Sequence, residues 1–355
     1  MEKQGNGLHG ISCIDCCKFT ANSCHKYPLK KSQIPVLFTS AGRQFYPSNF
    51  KMMTTASKPI EAVGQWWRTI AAAANQHASL EAARDFGEGW ASLTPEPGGV
   101  DYIEVDAGGV PALWVVPKQC ATERVLLGFH GGGFFTGSMY THRKLFAHFA
   151  KAIGCRALIL QYRYAPENPY PAQLNDALNA YTWLLDQGIM APHIAFIGDS
   201  AGGNLCITTM LLARDRGLPL PAAAMPISPW YDMEGVMDSL VYNQGKDLLF
   251  TKEWVQAIAG MYLGAQGNPR DPYANPLYAD LKGLPPIYLQ VGGDELLLND
   301  STAMAELAKK AGVDVRIDIF PGMQHTFQMA VGRAPEATDA VERYVAWVKP
   351  KLGLV

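Results

Sequence analysis

The stretch IGDSAGGN, residues 197–204, places Ser200 between Gly198 and Gly202. The apolar run before it predicts a strand and the residues after it predict a helix, which is the context that a G-x-S-x-G nucleophile turn requires. Glycines fit beside such a serine because the tight turn leaves no room for side chains. The alternative is a Gly-Ser turn in which Ser200 only caps the helix. Acyl transfer through the serine hydroxyl is therefore the chemistry to test.

A second motif, HGGGF at residues 130–134, follows the apolar run VLLGFH. Acyl transfer develops a negative charge on an oxygen, and fixed backbone N–H groups can stabilise it where glycine lets the chain approach closely. We predict the amides of Gly132 and Gly133 as two donors and that of Ala201 as the third. Gly131 supports the motif, and His130 is expected to hold the loop by hydrogen bonding rather than to act as a base.

Two further side chains follow late strands. Asp294 comes after PIYLQVGG and His325 comes after RIDIFPGMQ. A serine hydroxyl becomes a good nucleophile when a neutral imidazole takes its proton and a carboxylate orients that imidazole. The chain order serine, acid, histidine is that of an α/β-hydrolase. Taken singly, Asp294 is better explained as a helix cap and His325 as a loop histidine, and the catalytic interpretation depends on the three residues together.

Two other acids compete with Asp294 for this role. Glu295 is adjacent, and Asp300 precedes a predicted helix that begins near Ser301, which it would cap. We prefer Asp294 because it lies closest to the end of the strand.

These residues need a mostly parallel sheet to bring them together, because ligands bind at the carboxyl ends of parallel strands. Two β-rich runs, VDYIEV and VPALWVV, predict an antiparallel pair. Six bounded apolar runs predict the other strands of an eight-stranded sheet: VLLGFH, ALILQYR, IAFIGD, AAAMPIS, PIYLQVGG and VRIDIF. The intervening segments predict helices at 141–153, 171–187, 201–215, 299–311 and 335–349. Alternation of this kind indicates an α/β fold with helices on both faces.

The connection between the strands near 222–228 and 286–292 is too long for a simple crossover and predicts an inserted lid. Helical periodicity in residues 59–86 predicts one or two further helices above the sheet. The expected organisation is an N-terminal arm (1–53), N-terminal cap helices (54–98), a catalytic domain (99–231 and 273–355) and a cap insertion (232–272).

The arm contains Cys13, Cys16, Cys17 and Cys24, followed by His25. Thiolates and imidazole bind zinc, but the second half of a zinc pattern is absent, and we expect no metal and no organic cofactor. The arm is either functional or an extension upstream of a start at Met52 or Met53.

Composition excludes several classes of protein. The chain has 355 residues, 30 basic against 32 acidic side chains and a net charge of −2. This balance gives no reason to expect nucleic acid as a partner. No apolar run is long enough to span a membrane and no secretion signal is evident, so we expect a cytoplasmic protein. A small uncharged molecule is the expected partner, and a homodimer remains open.

The chain contains HGGG at 130–133, YRYAPENPYPA at 162–172, GDSAGGN at 198–204, and the acid and histidine described above. With these motifs it resembles the hormone-sensitive-lipase-like esterases, bacterial family IV. The resemblance covers roughly residues 57–355. It implies an α/β-hydrolase fold with a cap made of N-terminal helices and an insertion after the sixth strand.

The hypothesis is a serine carboxylesterase in which Ser200 attacks, His325 acts as base and then acid, and Asp294 orients His325. A pocket containing Phe134, Phe135 and Trp230 suggests short to medium acyl esters. Trp66 and Trp67 either pack on the main domain or line the entrance.

Two alternative functions remain. A lactone hydrolase would use the same residues. A non-catalytic receptor, as in plant gibberellin receptors that resemble this family, would lack the catalytic histidine, and His325 is present.

Overall fold

The apolar runs form one eight-stranded sheet, as predicted. The computed structural model describes residues 59–74 and 79–355, so the arm and its cysteines lie outside the described residues. The strands are β1 (Val100–Asp106), β2 (Pro111–Pro117), β3 (Ala121–Phe129), β4 (Cys155–Leu160), β5 (Ile194–Asp199), β6 (Ala223–Ile227), β7 (Ile287–Gly292) and β8 (Val315–Phe320).

The strand order is β1-β2-β4-β3-β5-β6-β7-β8. β1 pairs antiparallel with β2, and β2 pairs antiparallel with β4. All remaining pairs are parallel. The carboxyl ends of β3, β5, β6, β7 and β8 therefore lie at one edge of the sheet, where the loops that follow them meet.

Most of the helices lie at the predicted positions, and the short helix Ser239–Tyr242 was not predicted. The helices are α1 (Pro59–Ala74), α2 (Leu80–Gly87), α3 (Met139–Ile153), α4 (Ala172–Asp186), α5 (Ala201–Asp215), α6 (Ser239–Tyr242), α7 (Lys252–Leu263), α8 (Leu298–Lys310) and α9 (Pro335–Val348). α3 begins at a capping box in which the Ser138 and Thr141 side chains each accept a backbone N–H. α5 begins directly after Ser200, so strand, serine and helix are continuous.

The core has two apolar layers, one on each face of the sheet. α3 and α9 pack on one face with α1, and α4, α5 and α8 pack on the other. The central strand β5 is buried along its whole length, which explains its uninterrupted apolar character. Cys155 and Cys206 are buried in these layers as free thiols.

The long β6-to-β7 connection contains α6 and α7, while α1 and α2 precede the sheet. The domain boundaries given above, and the assignment of these segments to a cap, stay predictions. Within residues 59–74 and 79–355, no helix combines the length and apolarity needed to cross a membrane.

Candidate active site

One cavity of about 410 Å³ opens at the carboxyl edge of the sheet. Ser200 and His325 both line it, as do Gly132 and Gly133 of the glycine loop. Loops after β3, β5 and β8 thus bring together residues that lie up to 193 positions apart in the chain, counted from Gly132 to His325.

Ser200 lies in a strained turn between β5 and α5. Its φ of 54° and ψ of −118° are rare for a residue with a side chain, and such strain costs about 1–3 kcal/mol. The Ser200 N–H donates to the Ile227 carbonyl at 2.9 Å, which fixes the turn against β6. A Cβ on Gly202 would overlap the Phe129 carbonyl oxygen, and one on Gly198 would overlap the Gly202 carbonyl oxygen. The turn therefore requires glycine at both positions.

The acidic partner of His325 is Glu295. The His325 Nδ1 donates to Glu295 Oε2 at 2.8 Å, and both side chains are buried. This corrects the sequence prediction of Asp294, the preceding residue, whose side chain is only partly buried. With Nδ1 as donor, Nε2 of a neutral imidazole is the acceptor.

The turn after β7 explains the one-residue difference. The Asp294 N–H donates to the Met323 carbonyl at 3.2 Å, so this residue pairs through its backbone with the chain that precedes His325. Glu295 folds back on the strand end: its Oε1 accepts from the Gly292 N–H at 2.5 Å and from Ser228 Oγ at 2.6 Å. The longer glutamate side chain spans the turn, and proximity to the strand end along the chain does not decide which carboxylate reaches the imidazole.

Ser228 is a site residue that sequence reasoning missed. It follows β6, accepts from the Thr326 N–H at 3.2 Å and donates to Glu295, so it links the acid to the residue after His325. Its position as the last residue of the predicted strand AAAMPIS was the available signal.

The pKa of His325 is raised above its ordinary 6.5. Burial alone would lower this pKa, but the hydrogen bond and charge of Glu295 reverse the effect, with further contributions from the carboxylates of Asp247 and Asp199. The site thus favours the imidazolium that forms when the histidine accepts a proton.

Asp199, for which the sequence supplied no role, anchors the glycine loop. Its Oδ1 accepts from the Gly131 N–H at 3.0 Å, and its Oδ2 contacts His142 Nε2 at 3.2 Å. Burial would raise the pKa of Asp199, but the charge and hydrogen bond of His142 lower it, with smaller effects from His325 and His130. A carboxylate next to Ser200 therefore fixes the start of the loop that carries Gly132 and Gly133.

His130 lies fully buried beneath this loop. Its ring stacks on Tyr162 with centroids 4.1 Å apart, and Nδ1 lies 2.7 Å from the Gly131 carbonyl. Burial, and then the neighbouring His142, lower the pKa of His130 to about 3, so the ring stays neutral. Together with the Asp199 contact, this packing holds the backbone of the loop.

Aromatic and aliphatic side chains form the walls of the cavity. Among the predicted pocket residues, Trp67, Phe135 and Trp230 line it, whereas Phe134 and Trp66 do not appear among the described lining residues. Phe134 is instead buried, with its ring stacked on Tyr262 at 3.8 Å. Trp67 also donates from Nε1 to the His325 carbonyl at 3.0 Å, so α1 contacts the histidine loop directly.

Asp300 does not cap a helix as the alternative interpretation suggested, because α8 begins at Leu298. Its Oδ1 instead accepts from the N–H groups of Tyr231 and Asp232, at 2.6 and 2.7 Å. No cluster of three or more metal-ligating His, Cys, Asp or Glu side chains occurs in the described parts of the chain.

Comparison of the chain with known proteins finds hydrolases. The α/β-hydrolase-fold family matches residues 126–329. An acetyl-hydrolase of Streptomyces hygroscopicus is 37% identical over 266 residues, which cover 75% of this chain and 87% of that protein. An esterase of Acinetobacter venetianus is 36% identical over 226 residues, covering 64% of this chain and 75% of that protein.

Solved structures give the same result. An esterase from the bacterial hormone-sensitive lipase family aligns with a TM-score of 0.80 and 39% identity, covering 83% of this chain and 98% of that chain. The esterase EstE5, soaked with p-nitrophenyl butyrate, aligns with a TM-score of 0.78 and 35% identity, covering 83% of this chain and 99% of that chain.

Proposed function

We propose that this chain cleaves short to medium acyl esters through Ser200, His325 and Glu295. The chain belongs to the α/β-hydrolase-fold family and is a carboxylic ester hydrolase of the hormone-sensitive-lipase-like group. The observation that carries this proposal is the buried hydrogen bond between His325 and Glu295 on the cavity that Ser200 lines. An acyl-enzyme on Ser200 is the proposed intermediate.

The first half of the reaction acylates Ser200. Its Oγ attacks the ester carbonyl carbon while its proton moves to His325 Nε2, and Glu295 stabilises the resulting imidazolium through Nδ1. The tetrahedral intermediate then collapses, the bond to the alcohol oxygen breaks, and the alcohol leaves with the proton from Nε2. The second half repeats these steps with water as the nucleophile and releases the carboxylic acid.

The amides of Gly132, Gly133 and Ala201 are proposed to bind the oxygen that becomes negative. Ala201 is the first residue of α5, where the backbone N–H groups of a helix lack partners within the helix. Each such donor is typically worth about 3 kcal/mol in the transition state. The Asp199 contact to Gly131 supports this role because it fixes the loop before the reaction starts.

The cavity walls suggest the substrate class. Trp67, Trp230 and most other lining side chains are apolar, and the described lining residues include no Lys, Arg or Glu. The one carboxylate among them, Asp199, already accepts from the Gly131 N–H and contacts His142. A charged substrate would lose its hydration there without a partner, whereas an uncharged ester would bury apolar surface. We propose that α1, α2 and α7 form the cap over this cavity.

Substitution of Ala83 in α2 tests the cavity assignment. Ala83 lines the cavity, so Ala83→Phe should shorten it and lower kcat/KM more for long than for short esters, by about 10-fold across the series. We would measure p-nitrophenyl esters from acetate to decanoate, alkyl acetates of increasing chain length, and a panel of lactones. The control is Asp85→Phe, an exposed position on the same helix. Equal losses at every chain length in both ester series would contradict the assignment, and faster turnover of lactones would favour lactone hydrolysis.

The activity should depend on pH through His325. Only the neutral imidazole accepts the Ser200 proton, so kcat/KM should fall as pH drops through the raised pKa of this residue, with a midpoint above 6.5. The sequence alone suggested a value near 6 to 7 from the reference pKa. We would measure kcat/KM for p-nitrophenyl acetate from about pH 5 to about pH 9. A profile without an acid limb would rule out His325 as the base.

A further inference from the structure

A second buried carboxylate lies beside the acid loop. Asp247 precedes α7 and is 7% exposed. Its Oδ2 accepts from the N–H of Leu296, the residue after Glu295, at 2.8 Å. Its Oδ1 accepts from the N–H groups of Leu249 and Phe250, each at 2.9 Å. One side chain thus joins the β6-to-β7 insertion to the loop that carries Glu295.

The same segment also contacts the histidine loop. The Phe250 ring packs edge-on against the His325 ring, with centroids 4.9 Å apart. The Leu248 N–H donates to Gln324 Oε1 at 2.8 Å, and Gln324 Nε2 donates to the Lys246 carbonyl at 3.0 Å. Residues 246–250 therefore bind both loops whose relative position sets the contact between His325 and Glu295.

Asp247 also brings negative charge toward His325. The charged groups that act on this imidazole are Glu295, Asp247 and Asp199. Both Asp247 oxygens accept backbone N–H groups, as the ionised carboxylate does. Burial raises the pKa of Asp247, and its backbone hydrogen bonds and His325 oppose that rise. The nearby Lys246 ammonium donates to Asn243 Oδ1 at 3.1 Å.

We propose that Asp247 is a positioning residue for ester hydrolysis: it holds the Glu295 loop in place and adds a second negative charge that stabilises the His325 imidazolium. This inference rests on the proposed function, because it requires His325 to accept a proton during the reaction. No substrate contact is assigned to Asp247.

The competing explanation is structural, since Asp247 would also stabilise the 247–250 turn without any effect on His325. Asn243 offers a matched comparison. Its Nδ2 donates to the carbonyls of Gly293 and Glu295, at 3.0 and 2.8 Å, so it secures the same loop without a charge. Substitutions at Asn243 and at Asp247 can therefore separate the effect of loosening the loop from the effect of removing the charge.

The experiment compares Asp247→Asn with Asn243→Ala in the full chain. Both variants should lower kcat for p-nitrophenyl acetate, because both loosen the acid loop. Only Asp247→Asn should move the acid limb of kcat/KM to lower pH, which raises the ratio of activity at about pH 5.5 to that at about pH 8 by roughly two- to five-fold. Asp247→Glu, which keeps the charge, should retain the wild-type midpoint.

Asp247→Ser is a second neutral variant, because serine can still cap the turn. An unshifted acid limb in active Asp247→Asn and Asp247→Ser, or an equal shift in Asn243→Ala, would overturn the inference. Failure of both neutral variants to fold would also overturn it, by showing a purely structural requirement. By contrast, a wild-type protein without esterase activity, or a Ser200→Ala variant that retains it, would overturn the proposed function itself.

Discussion

Replacing Ser200 with alanine is expected to lower kcat for p-nitrophenyl acetate by about 10⁵- to 10⁶-fold. The variant loses the only atom proposed to attack the ester, while the glycine loop and cavity remain. Residual turnover above the uncatalysed rate would then come from substrate binding and the proposed oxyanion donors alone.

The fold should tolerate this change. Ser200 donates and accepts backbone hydrogen bonds through its N–H and carbonyl, which alanine retains, and its side chain caps no helix. Thermal denaturation and far-ultraviolet circular dichroism of the variant should therefore match the wild type closely. A folded Ser200→Ala protein with a few per cent of wild-type kcat or more would rule out Ser200 as the nucleophile.

The second large effect is expected at Glu295. Glu295→Gln should lower kcat by about 10³- to 10⁴-fold, because an amide N–H facing Nδ1 favours the tautomer that carries its proton on Nε2. That tautomer cannot accept a proton from Ser200. Glutamine keeps the size of the side chain and can still accept from Ser228 or Gly292 through its oxygen.

Asp294→Asn is the matched control because it removes the neighbouring charge from a partly buried side chain. Its kcat should change by less than about three-fold. Both variants should be measured at the wild-type pH optimum, with thermal denaturation to confirm folding. A larger loss in Asp294→Asn than in Glu295→Gln would restore the assignment made from the sequence.

The sheet and its main helices were predictable because their signals are local. β5 and β8 coincide with the runs IAFIGD and VRIDIF, and α5 matches its predicted range of 201–215. Central parallel strands read as continuous apolar runs, and the crossover helices between them are long enough to show their period. Ser200 follows the central strand β5, whereas His325 follows β8, the last strand of the sheet, whose run VRIDIF was recognisable although it is only partly buried.

The acidic partner of His325 could not be identified from the sequence, because position along the chain does not give the direction of a side chain in a turn. Asp294 is nearer the strand end, but its N–H pairs with Met323, and Glu295 is the side chain that turns toward the imidazole. That outcome depends on the loop after β8, which lies about 30 residues away in the chain.

Supporting contacts between residues far apart in the chain could likewise not be predicted from the sequence. Asp199 contacts the glycine loop 68 residues before it, and Trp67 contacts the carbonyl of His325 across 258 residues. A single sequence contains no periodicity or motif that reports such pairs. The same holds for Asp247, whose partner loop lies 49 residues further along the chain.

The most direct test of the account is to trap the acyl-enzyme. Wild-type protein mixed with p-nitrophenyl acetate, quenched rapidly in acid and digested, should give a peptide acetylated at Ser200 in mass spectrometry. Ser200→Ala should give none, and Glu295→Gln should accumulate the adduct far more slowly. Efficient hydrolysis by the wild type with acetylation at another residue would contradict the account, as would ester turnover that persists after Ser200 is blocked by a fluorophosphonate.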